Sequence, residues 1–390
     1  MQRVRPTLRS TARLILVFIA LSVQSAWAAP QAGASGEGGM RQVYQAFREL
    51  HPLIAIESEF RKEGNRGRIN QLLSHLEQGL HGVDSLAVRY SSAPGFEAQL
   101  ASLKSMLREA GQSFKGGDVG WAHWQLRTVA NHCQSCHTSY DVGVRFYDPK
   151  AKLEGLNDFE RGEFYLATRQ FALAKDAFLR AATKPPADHY TLEALRKWLI
   201  IYIRVNKQPE QAIIELQRIL KKNQRLTSYD QREIGEWLKS LKRWRNQRRV
   251  MQTSIENAEA LMHDALISDQ PLYSSVGAVE LLRSTAMLHE LLQHGRLPAG
   301  DVRRALYLLG MGYSKLRLYF ANELPEFYLE NCIRRFPKTQ EARLSYQLYR
   351  ETMLLGYTGS RGTHLPDDLK LKLSELHDLA YGAFKFENRI

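Results

Sequence analysis

Val119-Gly-Trp-Ala-His-Trp-Gln-Leu-Arg-Thr-Val-Ala-Asn-His-Cys133-Gln134-Ser135-Cys136-His137-Thr-Ser-Tyr140 is the stretch that decides the fold. At about 3.6 residues per helical turn, Cys133, Cys136 and His137 fall within about one third of the circumference. Leu126, Val129 and Ala130 continue the same stripe, so the segment reads as a helix with one apolar face that ends in two thiols and an imidazole. A CxxCH run of this kind attaches a c-type haem: the thiols add to the two vinyl groups as thioethers, and the adjacent His supplies an axial nitrogen to the iron. The expected cofactor is one covalent haem c, held by Cys133, Cys136 and His137, with His137 as the proximal ligand. A thiol–disulfide exchange site usually opens a helix after a strand, where the dipole lowers the thiol pKa. Here the run closes a helix in a chain without strand pattern. A zinc site wants a second paired set of ligands, and no other CxxC or HxxxH exists in the chain.

Upstream, three more helices are expected. The first runs from Met40 to about Ile56, ended or kinked at Pro52. The second covers about Arg66 to Tyr90, with Ile69, Leu72, Leu73, Leu76 and Leu80 at helical spacing. The third covers Phe96 to Phe114, carrying Leu100, Leu103, Leu107 and Ala110. Four such helices joined by short loops predict an up-down bundle over residues 40–147. The Gly-rich leader 29–39 reads as disordered.

With its single CxxCH on the last helix of a predicted bundle, this region resembles the class II, cytochrome c′-type family over roughly residues 40–145. The resemblance implies thioether anchors at Cys133 and Cys136 and a proximal His137. Some members of that family place a Met on the first helix at the sixth iron position and carry electrons; others leave it open and bind small gases. Met40 shares a stripe with Val43, Tyr44 and Phe47, which makes it the candidate sixth ligand. The alternative is that Met40 is an ordinary core residue and Tyr44 or Phe47 caps an open site. His51 lies three turns along the same stripe, too far down the bundle to reach the iron. His123 and His132 read as surface or packing residues, and Trp121 and Trp124, off the stripe, as packed against other helices rather than docked on the region that follows.

Beyond Asp148 and Pro149 the pattern changes to helix pairs. With Gly162 as anchor, Tyr165, Phe171, Ala174, Phe178, Ala181 and Pro186 occupy the aromatic, small and proline positions of a 34-residue tetratricopeptide repeat. A weaker copy places Ala212 and Leu216 on a second hairpin. A third runs Ala305–Phe320 and Phe327–Arg335, with Cys332 on a small packing position as an inert thiol. Met251–Arg296 is helical without matching the repeat. The predicted fold is therefore all-α, an N-terminal four-helix bundle followed by an α-solenoid of tetratricopeptide-like hairpins over 148–250 and a degenerate helical region over 251–390. The whole arrangement resembles exported tetratricopeptide proteins with an N-terminal cytochrome. Gly356–Pro366, a Gly-rich loop with Arg361 and His364, reads as a helix connection folded back on the bundle, or as a contact with the haem region or a partner.

Arg3, Arg5, Arg9 and Arg13, the apolar run Leu14–Leu21 and Ala26-Trp27-Ala28 form the charged, apolar, small-residue order of a signal peptide cleaved near Ala28. The expectation is an exported, periplasmic protein. Loss of those arginines takes the formal net charge from +13 to +9, and residues 196–249 hold 15 Lys or Arg against 5 Asp or Glu. Such a face steers acidic partners. Expected partners are a redox protein, a protein on the repeat surface and, peripherally, an anionic membrane; export argues against nucleic acid. No acid, base or nucleophile constellation stands out, so the reading is an electron carrier rather than an enzyme, the alternatives being a gas or redox sensor with an open sixth site and an assembly scaffold.

Overall fold

Two glycines set the first crossing of the fold. Helix α1 (Ala32–Ala55) and helix α3 (Arg66–Gly82) meet where a Cβ on Gly39 would lie 2.7 Å from the Gly79 carbonyl oxygen and 2.8 Å from the Gly82 carbonyl carbon. A Cβ on Gly79 would lie 2.9 Å from the Val43 nitrogen. Only hydrogen fits at both positions, and the backbones touch. This contact explains why the helix does not begin at Met40: from Ala32 the residues expected to be a disordered leader are its first turns. Pro52 does not break it either. It sits in the last turn, where its carbonyl accepts from Ile56 N at 3.2 Å and the helix ends at Ala55.

The computed structural model describes residues 32–84, 95–140, 145, 146, 148, 153–183, 190–223, 226–247, 251–266, 276–294, 297–320, 323–360 and 362–382. The stretch expected to be a signal peptide, residues 1–28, and Tyr90, Pro149, Pro186 and Arg361 lie outside them. The described residues are all-α, as expected, apart from one hairpin of two-residue strands. No helix among the described residues is long and apolar enough to cross a membrane.

After the short α2 (Glu57–Phe60) and α3 comes α4 (Phe96–Gly116), closed by Gly117 at φ +93°. Asp118 caps α5 (Val119–Arg127) by accepting from Trp121 N at 3.1 Å. The single helix expected over Val119–Tyr140 is interrupted: Thr128 Oγ1 donates to the Gln125 carbonyl at 2.7 Å, and a new helix α6 (Val129–Ser139) starts after it. Phe47, Leu50, Phe60, Leu72, Leu76, Phe114 and Leu126 form one core between these helices.

Helix α7 (Asp158–Ala167) opens with a reciprocal capping box between Asn157 and Glu160. It packs on α8 (Phe171–Thr183) because Gly162 lets the Phe178 ring approach within 2.5 Å of where a Cβ would be. Ala174 and Phe178 are fully buried, but Ala177 and Ala182 take the buried small positions while Ala181, Tyr165 and Phe171 are only partly covered. There follow α9 (Thr191–Ile200), which runs into a π-helical turn over Ile201–Asn206, α10 (Pro209–Lys222) and α11 (Ser228–Gln247). Ala212 and Leu216 are buried on α10. Residues 251–296 supply α12 (Ile255–Leu266) and α13 (Ala278–His294), and α14 (Ala299–Lys315), α15 (Leu324–Arg335), α16 (Gln340–Gly356) and α17 (Asp367–Tyr381) complete the chain. Helices α12, α14 and α15 each pack on the next helix and on the one after it.

Helix α7 serves two cores at once. Phe164 and Ala167 pack with the N-terminal helices, Phe159 and Leu166 with the helices that follow. The Gly356–Pro366 loop is exposed over nearly all of its described residues. It forms a small antiparallel hairpin, β1 (Thr358–Gly359) with β2 (Gly362–Thr363), whose residues are exposed.

Candidate functional site

Helix α6 is amphipathic in an unusual sense: both faces are buried, against different neighbours. Its thiol face belongs to the first core, with Val129 and Ala130 fully enclosed and Cys133 and Cys136 packed beside them. Its opposite face, Gln134, Ser135 and Thr138, is also buried: Ser135 Oγ and Thr138 Oγ1 donate to the Asn131 and Gln134 carbonyls of the same helix, and the later helices satisfy the Gln134 side chain. Gln134 Nε2 donates to the Tyr319 carbonyl at 2.9 Å, and Lys197 Nζ donates to Asn131 Oδ1 at 2.5 Å and Gln134 Oε1 at 3.3 Å. Lys197 also pairs with the buried Glu163 at 3.4 Å. Just beyond the helix, the Tyr140 and Tyr328 hydroxyls lie 3.4 Å apart and Arg204 reaches Ser139 Oγ at 3.2 Å. The helix that carries the CxxCH run is thus gripped by α9, α14, α15 and the turns between them.

On the thiol face the structure brings Cys133, Cys136, His137 and Met40 into one cavity of about 730 Å³, its mouth included. Only about 60 Å³ of this is free space within the cavity, the larger figure including open solvent. Val43, Leu80, Val83, Leu100 and Leu103 line it with hydrocarbon. Tyr44 and Phe47, the expected alternatives to Met40, stand on the same wall. Phe146 stacks on Tyr44 with ring centroids 4.0 Å apart. The Tyr44 hydroxyl donates to Asp148 Oδ2 at 2.8 Å, and Asp148 N donates to Gln170 Oε1 at 2.7 Å, which ties this flap to α8.

The electrostatics of the three CxxCH side chains follow from that enclosure. Burial pushes both thiols up to about 12, so they stay protonated at neutral pH. Neither is disulfide-bonded. A thiol so far from its thiolate is a poor exchange catalyst. Burial, aided by the Arg169 charge, lowers the His137 imidazole to about 4, against a smaller opposing effect of its hydrogen bond to Ala167. The ring is therefore neutral. Its Nδ1 lies 2.8 Å from the Ala167 carbonyl, an acceptor only, so Nδ1 carries the proton and Nε2 keeps a free lone pair. An imidazole oriented by a backbone carbonyl through one nitrogen, with the other bare, is the form that binds a metal.

The other histidines are occupied elsewhere. His51 Nε2 bonds the Glu160 carbonyl at 2.9 Å, and His123 Nε2 bonds the Ile54 carbonyl at 2.8 Å while its ring packs on Phe60. His132 is buried and lines the cavity margin, where burial lowers its pKa. Trp121 and Trp124 correct the expectation of packing. They stack on each other at 4.8 Å and remain 44 % and 60 % exposed, because α5 turns that face outward before the break at Thr128. Cys332 is fully buried with its thiol raised to about 11 by burial, and it donates weakly to the Arg303 carbonyl.

Sequence reasoning missed Arg169. It sits in the turn between α7 and α8, buried, at φ +62°, with its charge beside Cys136 and His137. Only the three-dimensional return of that turn onto α6 reveals it; nothing in its neighbours Thr168 and Gln170 marks it. The basic stretch 196–249 also divides. Arg196, Lys197 and Arg204 point inward, Arg196 making a bidentate pair with Glu233 at 2.8 Å, whereas Arg232, Lys239, Lys242, Arg243 and Arg245 on α11 are exposed.

Among the described residues no three His, Cys, Asp or Glu side chains are grouped to hold a bare metal ion. Compared with known protein families, curated proteins and solved structures, the chain finds no match in any of the three.

Proposed function

We propose that the protein is an exported monohaem c-type cytochrome that transfers electrons. The observation that carries this reading is the shared cavity: two thiols and a neutral imidazole with a bare Nε2 line one apolar pocket. Cys133 and Cys136 would hold the haem as thioethers, and His137 would supply the proximal nitrogen. When bound, haem supplies a one-electron couple and no bond of a substrate need change. The Ala167 carbonyl fixes the His137 ring, and the hydrocarbon lining with the Tyr44–Phe146 flap excludes water. Met40 on the same wall supports a thioether sulfur as sixth ligand.

In this reading residues 40–147 form a four-helix cytochrome bundle and the later helices a tetratricopeptide-like solenoid. The signal sequence directs the chain to the periplasm. The partners are a redox protein, a protein on the outer repeat surface and, through exposed α11, an anionic membrane. Tyr44 and Phe47 line the same cavity as Met40, which supports a second reading, an open sixth site that senses gas or redox state or serves an assembly scaffold.

The test is the chain exported from a host able to attach haem. The reading requires the mass of one haem added to the polypeptide and an absorption band that survives denaturation. A colourless product of bare polypeptide mass refutes it. Carbon monoxide added to the reduced protein separates the two readings: a spectrum that does not respond means a closed sixth position, and a shift means an open one.

A further inference from the structure

A polar cleft opens where the N-terminal helices meet the later ones. It holds about 550 Å³ of free space, within the ordinary range of about 300–1,000 Å³ for small-molecule sites. Four elements far apart in the chain converge on it: Glu109 comes from α4, Trp124 and Gln125 from α5, Glu193 from α9 and Glu323 from the start of α15.

The cations of this lining are committed, and the anions are not. Arg196 makes its bidentate pair with Glu233, Lys197 pairs with Glu163 and bonds Asn131 and Gln134, and Arg317 pairs with Glu326 at 2.9 Å. Among the described residues no cation pairs with the carboxylates of Glu109, Glu193 or Glu323. Burial holds the Glu193 carboxyl above the usual carboxylate range even with Lys197 and Arg196 nearby. Two amide oxygens are also unspent. Gln125 is 5 % exposed, and its Oε1 has no donor. Gln99, equally buried, donates through Nε2 to the Tyr328 hydroxyl at 3.3 Å, but its Oε1 has no donor either. It lines a narrow inner hollow that shares Ser102, His132 and Glu323 with the cleft. A dry acceptor without a partner costs stability that a donor on a ligand would return. Trp124 adds an exposed indole, backed by Trp121 at 4.8 Å, and the face of an indole attracts cations. This local excess of acceptors runs against the chain as a whole, whose formal net charge of +13 draws anions.

We propose that this cleft binds a small organic cation of the polyamine class, its ammonium groups donating to Gln125 and to the Glu109, Glu193 and Glu323 carboxylates and its chain lying against Trp124. Three unpaired carboxylates ask for more than one positive charge, and the amide oxygens ask for N–H donors, which an ammonium supplies three at a time. An indole accommodates both the methylenes and the charge of such a chain. A bare metal ion does not suit the site, since among the described residues no three His, Cys, Asp or Glu side chains are grouped to hold one; an extended cation reaches carboxylates that stand apart. The site uses none of the CxxCH side chains, so its occupancy stands apart from the function proposed above.

The experiment titrates the full-length chain with spermidine, and with magnesium chloride at equal ionic strength, reading heat of binding and thermal shift. Spermidine is expected to bind saturably and magnesium is not. Trp124→Ala should weaken binding by roughly two- to fivefold, the worth of an exposed cation–π contact. Glu193→Gln should weaken it by about tenfold or more, since it removes a charge-assisted hydrogen bond. Gln125→Leu deletes an acceptor that the free protein leaves unused, so it should weaken binding by roughly three- to tenfold while the thermal midpoint of the unliganded chain holds or rises. That variant separates lost binding from lost folding. The proposal is overturned if spermidine gives no response beyond that of magnesium, or if Glu193→Gln and Gln125→Leu both keep the affinity of the parent.

Discussion

The crossing of α1 and α3 allows a stability experiment whose sign can be worked out in advance. Replacing Gly39 with Ala adds a methyl group 2.7 Å from one backbone atom and 2.8 Å from another, where ordinary contact begins at 3.4 Å. The overlap is about 0.7 Å, the difference of those distances, and backbone atoms cannot rotate away as a side-chain tip can. The helices must part, as in an overpacked core, at about 1–3 kcal/mol. Alanine returns up to about 1 kcal/mol over glycine in a helix interior. Taking about 2 kcal/mol lost against about 1 returned, the expected net loss is about 1 kcal/mol, seen as a lower urea midpoint with unchanged m-value. Gly111, inside α4 with nothing within 4 Å of its would-be Cβ, is the matched control. Gly111→Ala should gain about 0.5–1 kcal/mol. Because Met40 follows Gly39 directly on the cavity wall, only the first variant should also alter the absorption spectrum of haem-loaded protein. Equal shifts of the same sign in both variants would show that no close crossing exists.

Other outcomes follow from single contacts. Lys197→Met strands the buried Glu163 carboxylate and removes two bonds to α6, so a loss of about 3–5 kcal/mol is expected in denaturant titration; a loss below about 1 kcal/mol means that the later helices do not grip α6. Trp124→Ala should change stability by no more than about 0.5 kcal/mol and remove an acrylamide-quenchable part of the emission, whereas a packed Trp would cost about 3–5 kcal/mol. His289 is buried with its pKa held well below 6.5 by desolvation first and by Arg204 second. The folded state then binds fewer protons than the unfolded state, so its contribution to stability is complete above pH 6.5 and declines as the pH falls below that value. Thermal midpoints measured from pH 7.5 to pH 5 should show a shallower decline in His289→Gln than in the parent, and parallel curves would exclude His289 as a source.

How much of this was legible in the sequence depends on the range of the signal. Periodicity located nearly every helix, because Leu72, Leu76 and Leu80 or Ala174 and Phe178 report a buried stripe from within their own turn. Gly162 carried a tertiary statement as well, since a repeat pattern encodes the partner ring at Phe178. The start of α1 was hidden for the opposite reason. Glycine reads locally as disorder, and its value at position 39 exists only against Gly79 on another helix. The CxxCH face was read from spacing and Met40 from the family resemblance, and the structure joins them in one cavity. Arg169, Ala167 and Arg204 were invisible because each reaches α6 from a turn or carbonyl far along the chain. The exposed tryptophans misled because size argues for burial unless the neighbouring helix ends first.

The double burial of α6 has a consequence for how the parts depend on one another. The N-terminal helices standing alone would turn the far side of α6 to solvent, and Gln134, Ser135 and Thr138 are polar as such a surface requires. Here the same side chains are dry: Gln134 bonds Lys197 of α9 and the Tyr319 carbonyl after α14, while Ser135 and Thr138 bond carbonyls of their own helix. Loss of the later helices would expose that face to water it can tolerate, but it would also strip the N-terminal core of Phe164, of Ala167 and of the carbonyl that orients His137. A chain truncated before Asp158 should therefore keep much of its helicity by circular dichroism yet lose the fixed imidazole tautomer, and haem-bearing material should show heterogeneous axial ligation. A truncated protein with a spectrum identical to that of the full chain would mean that the ring is oriented by residues 40–147 alone, and that the later helices grip α6 without shaping its site.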